Sequence, residues 1–189
     1  MICSFKQNIY LINYDGSCYV YNFETNKLIR IADMNENIYY FACTVFEGKI
    51  VVSRGYSKLV EAYDYYENKW SYFPDVIEER HDHASVSMSN KLFVIGGYDN
   101  TNCEVFDSFS RKFTLIKADV LNSRSPLFYK AVCIGNSILV IIENYDSSRK
   151  DKTISNMCIY DVEKNHWSKK NCSFLKSLNN MAFVKYCTD

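Results

Sequence analysis

Membrane-spanning length is the first thing this sequence lacks: no run approaches the roughly 20 apolar residues that a transmembrane helix needs. Its start, Met1-Ile2-Cys3-Ser4-Phe5-Lys6, has neither the basic lead nor the apolar block of a secretory signal. Charge of one sign is missing too. Lys and Arg number 22 against 22 Asp and Glu, which leaves no bulk field to draw nucleic acid or an anionic membrane surface. Histidine is scarce at three, and there is no Cys-x-x-Cys, HExxH or GxSxG. Those gaps remove the usual signatures of zinc centres, metalloproteases and serine hydrolases, and no cofactor is expected. The eight cysteines are scattered, so they read as buried, reduced thiols in a cytoplasmic protein, with a disulfide or a metal as the other readings.

Glycine (six) and proline (two) are also few, while Tyr (16) and Phe (12) are abundant, a β-prone mixture. The stretch from Asn90 to Phe113 shows how it is organised. Leu92-Phe93-Val94-Ile95 is an apolar strand stopped by Gly96-Gly97. Cys103-Glu104-Val105-Phe106-Asp107 is a second strand, Ser108 to Arg111 a turn, and Phe113 opens a third. The same pattern recurs. An aromatic followed by Asp or Asn ends a strand at Tyr21-Asn22, Tyr63-Asp64, Phe106-Asp107 and Tyr160-Asp161. Six residues past the polar member stands a large apolar one: Leu28, Trp70, Phe113 and Trp167. The copies lie 42, 43 and 54 residues apart, and periods near this length mean propeller blades or related arrays. Strands are expected near 8–13, 49–54, 91–96 and 137–142, with essentially no helix. The repeats run over about 1–33, 34–78, 79–121 and 122–172, with an extra strand in 173–189, all in one all-β domain whose ring is either closed tightly or incomplete.

Stacked blades fill their gaps with aromatics, so Trp70, Phe113 and Trp167, with Tyr63, Phe106 and Tyr160, are read as core. In an up-and-down blade, the first-to-second and third-to-fourth strand turns share one end. Here they are tight and formulaic (Glu47-Gly48, Ser89-Asn90, Gly135-Asn136, Tyr65 to Lys69). The other end carries Tyr39 and Tyr40, Tyr56 to Lys58, Arg80-His81-Asp82-His83, Tyr98 to Asn102, Arg124-Ser125, and a long loop from Glu143 to Thr153. Tyr and Arg on irregular loops over a rigid scaffold suit protein recognition. The candidate partner-binding residues are Tyr39, Tyr40, Arg80, His81, Asp82, Tyr98, Asp99, Asn100, Tyr145 and Arg149. Strand alternation would put His81 and His83 on one side, where they could share a metal; a solvated loop edge is the plainer reading.

Strand, double glycine, strand, turn and spaced aromatic resemble a kelch repeat, and the whole chain is similar to the propellers of the kelch-like family. That resemblance implies a non-catalytic protein-recognition module. Family members carry BTB and BACK domains ahead of a propeller of usually six blades. They serve as substrate receptors of cullin-type ubiquitin ligases, and some bind actin. The implied partner is therefore a ubiquitination substrate or actin, with the cullin engaged only if BTB and BACK regions belong to a longer protein, of which this chain is expected to be a piece. Some kelch-type propellers are copper oxidases, a third reading that needs several converging ligands.

Overall fold

The computed structural model describes residues 1–98, 100–121, 127–146 and 151–170. Over them the chain forms four antiparallel four-stranded sheets, each from strands consecutive in sequence. The first holds β1 (Ile2–Phe5), β2 (Asn8–Ile12), β3 (Cys18–Asn22) and β4 (Lys27–Ile31). The second holds β5 (Ala42–Phe46), β6 (Lys49–Ser53), β7 (Val60–Asp64) and β8 (Lys69–Phe73). The third holds β9 (Ala84–Met88), β10 (Lys91–Ile95), β11 (Cys103–Asp107) and β12 (Lys112–Ile116). The fourth holds β13 (Leu127–Ile134), β14 (Ser137–Asp146), β15 (Asp151–Asp161) and β16 (His166–Lys170). The only helix among the described residues is one 3-10 turn, Asp119–Leu121. The expected strands are therefore β2, β6, β10 and β14, the second of each sheet.

The constant offset from aromatic to aromatic has a local cause. The polar residue that ends each third strand accepts main-chain N–H groups of the following turn. Asn22 takes Thr25, Asp64 takes Tyr66 and Glu67, Asp107 takes Phe109 and Ser110, and Asp161 takes Lys164. Backbone donation holds the carboxyls of Asp107 and Asp161 below their ordinary range, whereas for Asp64 the Lys49 ammonium is the leading cause. The turn then passes through a positive φ at Asn26, Asn68, Arg111 and Asn165, which starts the fourth strand in register. In three sheets the strand-ending tyrosine reaches into that turn: the hydroxyls of Tyr21, Tyr63 and Tyr160 donate to Asn26, Asn68 and Asn165.

The sheets stack about a common axis with their first strands innermost: β1 packs on β5, β5 on β9, and β9 on β13. This is a propeller, and each gap between blades is an apolar core. Trp70 and Tyr63 fill the first gap against Tyr10, Ile12 and Cys18. Phe106 and Phe113 fill the second against Phe46 and Val51. Tyr160 and Trp167 fill the third against Phe93 and Val86. Leu28 stands at the same position as Trp70 yet is 56% exposed, because among the described residues no blade lies on that side of the first. Among the described residues the ring is not closed, since the succession of inner strands runs from β1 to β13 and ends.

One expectation needs correction. Of the segment Glu143 to Thr153, the described residues are strand rather than loop: β14 and β15 pair out to Asp146 and Asp151, with a bulge at Ile142/Glu143, and 147–150 lie outside the described residues. Where the third blade stops its strand with Gly96-Gly97, the fourth has Ile142-Glu143, and the ladder continues past the bulge. The expected loop at Arg124-Ser125 and the strand in 173–189 lie outside the described residues. Cys18, Cys43 and Cys103 are free thiols, and burial pushes those of Cys18 and Cys103 up to about 12.

Candidate functional site

Strand direction gathers two kinds of connection at one end of the propeller: those from second to third strand, and those from one blade to the next. Main-chain bonds lace them together. The Gly55 and Tyr56 N–H groups donate to the Tyr39 and Arg80 carbonyls, Tyr98 to His81, and Tyr129 to Asp82. Glycine is required where this lacing is closest. A side chain at Gly55 would run into the Tyr39 and Tyr40 carbonyls, and one at Gly96 into the Tyr129 ring.

On this laced surface lies an aromatic cluster. The His81 imidazole is sandwiched between Tyr56 (4.1 Å between centroids, 29° between planes) and Tyr98 (4.9 Å, 17°). Tyr40 meets both Tyr56 and His81 edge-on at 5.6 and 5.8 Å. Tyr14 stacks on Tyr39 at 6.3 Å and meets the edge of Phe41 at 6.2 Å. Tyr14, Tyr39, Tyr40, Tyr56 and Tyr98 are each at least 40% exposed. Large amphipathic rings, fixed against each other and open to solvent, form contact surface that loses little side-chain entropy on binding.

Of the residues singled out from sequence, Tyr39, Tyr40, His81, Asp82 and Tyr98 fall in or beside this cluster. Asn100 is tied inward, its Nδ2 donating to Glu78 and its Oδ1 accepting the Asn102 N–H. Asp99 and Arg149 lie outside the described residues, and for Tyr145 the description extends to its backbone in β14. Arg80 is corrected outright. Its side chain has no exposure; Nη1 donates to the Gly96 and Asn102 carbonyls at 2.9 Å each, and Nη2 to Glu104. A guanidinium closed to solvent, with both terminal nitrogens held inside the third blade, offers nothing to a partner. Tyr14 was not singled out, and Tyr56 was read as part of this end without being made a candidate; Tyr14 stands in place of its blade's glycine pair, and Tyr56 follows Arg54-Gly55 as Tyr98 follows Gly96-Gly97.

The paired-histidine reading is corrected too. Asp82 adopts a positive φ of 56°, which breaks strand alternation between its neighbours. His81 goes to the aromatic stack, while His83 turns inward, buried, with Nε2 2.7 Å from Ser53 Oγ. Burial, reinforced by the Arg80 charge, pulls His83 down to about 3. A histidine neutral in the fold but protonated when unfolded makes stability fall as pH drops below the unfolded value near 6.5. From pH 7 to pH 5 we expect the unfolding free energy to decline with a slope approaching about 1.4 kcal/mol per pH unit. His83→Gln should flatten that slope in urea titrations; an unchanged slope would remove His83 as its source.

A family model described as "Kelch motif" matches residues 79–112, which run from the connection after the second blade to the first residue of β12. Kelch-like protein 38 of Danio rerio is 31% identical over 126 residues, covering 66% of this chain and 22% of that protein. Kelch repeat and BTB domain-containing protein F47D12.7 of Caenorhabditis elegans is 30% identical over 131 residues, covering 67% of this chain and 20% of that protein. The chain thus spans about a fifth of the length of these relatives. The solved structure of YjhT superposes with a TM-score of 0.73 at 13% identity, over 94% of this chain and 66% of that one, a likeness of fold.

Proposed function

We propose, from the premise that this chain is a partial kelch-repeat propeller, that it is a non-catalytic protein-interaction module whose partner seats on the aromatic end. The observation that carries the reading is the ordered set of exposed rings at Tyr14, Tyr39, Tyr40, Tyr56 and Tyr98, fixed by main-chain bonds between blades. The opposite end also exposes rings, Phe23 beside Tyr21, Tyr65 beside Tyr66, and Phe109, but these stand on separate tight turns. Relatives in which kelch repeats accompany a BTB domain favour the narrower role of a cytoplasmic substrate receptor for a cullin-type ubiquitin ligase. Actin is the alternative partner. The metal-enzyme reading draws no support from the donors: His81 and His83 diverge, and no group of three or more His, Cys, Asp or Glu gathers among the described residues.

Tyr56→Ala combined with Tyr98→Ala should weaken capture of the partner by about 1–3 kcal/mol in total while the melting transition stays near that of the parent. Tyr66→Ala combined with Phe109→Ala should leave capture unchanged. The comparison is made by crosslinking capture from cells, with co-sedimentation on filamentous actin and ubiquitination of the captured protein separating the two partner classes. Loss of capture in the second pair, with retention in the first, would put the binding surface at the wrong end.

A further inference from the structure

The strand registers Ala42↔Ser53, Ala84↔Ile95 and Lys130↔Ile141 make three pairs of residues equivalent, each just ahead of these first-strand positions. They are Tyr40-Phe41, Asp82-His83 and Phe128-Tyr129. All six line one cavity of about 300 Å³ on the axis of the propeller, opening at the aromatic end beside Tyr40. Two polar atoms of these buried side chains have no partner: His83 Nδ1 and the Tyr129 hydroxyl. Two of the pairs also begin in the left-handed backbone region, Tyr40 at φ 49° and Asp82 at φ 56°. A tyrosine there is strained.

We infer that this cavity is a socket for one basic side chain, arginine or lysine, presented by the protein partner. The inference rests on the interaction reading above and names the chemistry of its central contact. Charge points to a cation. Asp82 shares Oδ2 with His81 Nδ1 at 2.9 Å, and its other oxygen is left for a ligand. The positive groups on the wall are already engaged: Lys130 pairs with Glu143 at 2.8 Å, and the Met1 ammonium donates to the Ile12 carbonyl. The rings of Tyr40, Phe41, Phe128 and Tyr129 line the same cavity as the carboxylate, and aromatic faces attract a desolvating cation. His83 is held neutral and adds no repulsion, and the two orphaned atoms can accept guanidinium or ammonium N–H groups. The volume lies at the small end for ligand pockets and suits a single side chain.

The test uses amino-acid amides, so it does not depend on knowing the partner. Nα-acetyl-arginine amide, titrated into the full chain and followed by NMR, should give saturable shifts at His83 and Tyr129 with roughly millimolar affinity. Nα-acetyl-citrulline amide, of the same shape without the charge, should bind weaker by about tenfold or more. Asp82→Asn keeps a residue that tolerates the left-handed region and an acceptor for His81, so it should fold like the parent and lose the arginine preference. Tyr40→Gly relieves the strained backbone, so it should melt no lower than the parent yet bind arginine amide more weakly. Equal binding of citrulline, full binding by Asp82→Asn, or no saturable shift by about 50 mM arginine amide would each overturn the socket. Selection from a random displayed-peptide library keeps the two readings apart. Peptides that depend on Tyr56 and Tyr98 but carry no basic residue would overturn the socket and leave the interaction reading intact. A library with no binders, beside a positive arginine titration, would overturn the interaction reading and leave the socket.

Discussion

Trp70→Ala should lower the unfolding free energy by about 3–5 kcal/mol in chemical denaturation, the range for truncating a buried aromatic. Trp70 is 4% exposed and sits 5.3 Å from Tyr63, in the core shared by the first and second blades. Its Nε1 also donates to the Ala32 carbonyl at 2.9 Å, tying β8 to the connection that leaves the first blade. Truncation therefore opens a cavity between two sheets and frees a carbonyl at once. Trp167→Ala should cost a similar amount between the third and fourth blades, where Trp167 packs 4.8 Å from Tyr160. Phenylalanine separates the two sites. The Trp167 Nε1 is buried without a partner, so Trp167→Phe removes an unsatisfied donor, whereas Trp70→Phe breaks a bond worth about 1 kcal/mol. Trp70→Phe should thus be the more damaging of the two. A Trp70→Ala protein that melts like its parent but fails to capture partner would place the indole on the binding surface and defeat the assignment.

What sequence made legible was whatever repeats locally. The aromatic-Asx ending of each third strand encodes its own turn through hydrogen bonds that span two to five residues, so the offset to Trp70, Phe113 and Trp167 could be read directly. Tyr40, Tyr98 and their neighbours followed from strand direction, a rule that needs only the repeat. Interactions between blades were less visible. Arg80 read as a surface arginine because it stands in a polar linker, yet its partner Glu104 lies 24 residues on, in the third strand of its own blade. A signal did exist. A strand in the middle of a blade is covered on both faces, so the charged residues Glu61 and Glu104 inside β7 and β11 had to find donors. They found them in the linkers: Asn35 N–H for Glu61, and Ile77 and Glu78 N–H with Arg80 for Glu104. The tie between His83 and Tyr129 was missed for a related reason. Each stands six residues ahead of a tight first-to-second strand turn, so their equivalence could be counted, but a cavity lined from two blades cannot be read from either repeat alone.

Arg80→Ala should be the most destabilising polar substitution in the chain, again by about 3–5 kcal/mol, because it leaves a buried carboxylate uncompensated. Neither Arg80 nor Glu104 has any side-chain exposure, and Arg80 also serves the Gly96 and Asn102 carbonyls that begin and end the connection between β10 and β11. Lysine is no substitute, since one ammonium cannot reproduce a planar fork that reaches two carbonyls and a carboxylate. Glu104→Gln keeps an acceptor for the Ile77 and Glu78 N–H groups and should cost less than Arg80→Ala. Combining the two changes should cost less than the sum of the singles, since the amide removes the charge that Arg80→Ala strands. Partner capture, measured where each variant remains folded, should be unaffected by Arg80→Ala, because the guanidinium lies beneath the aromatic surface rather than on it. The opposite pattern, a normal denaturation curve with weakened capture, would bring Arg80 back to the surface. It would mean that the linker from Glu78 to His83 opens on binding and exchanges its internal carboxylate for one supplied by the partner.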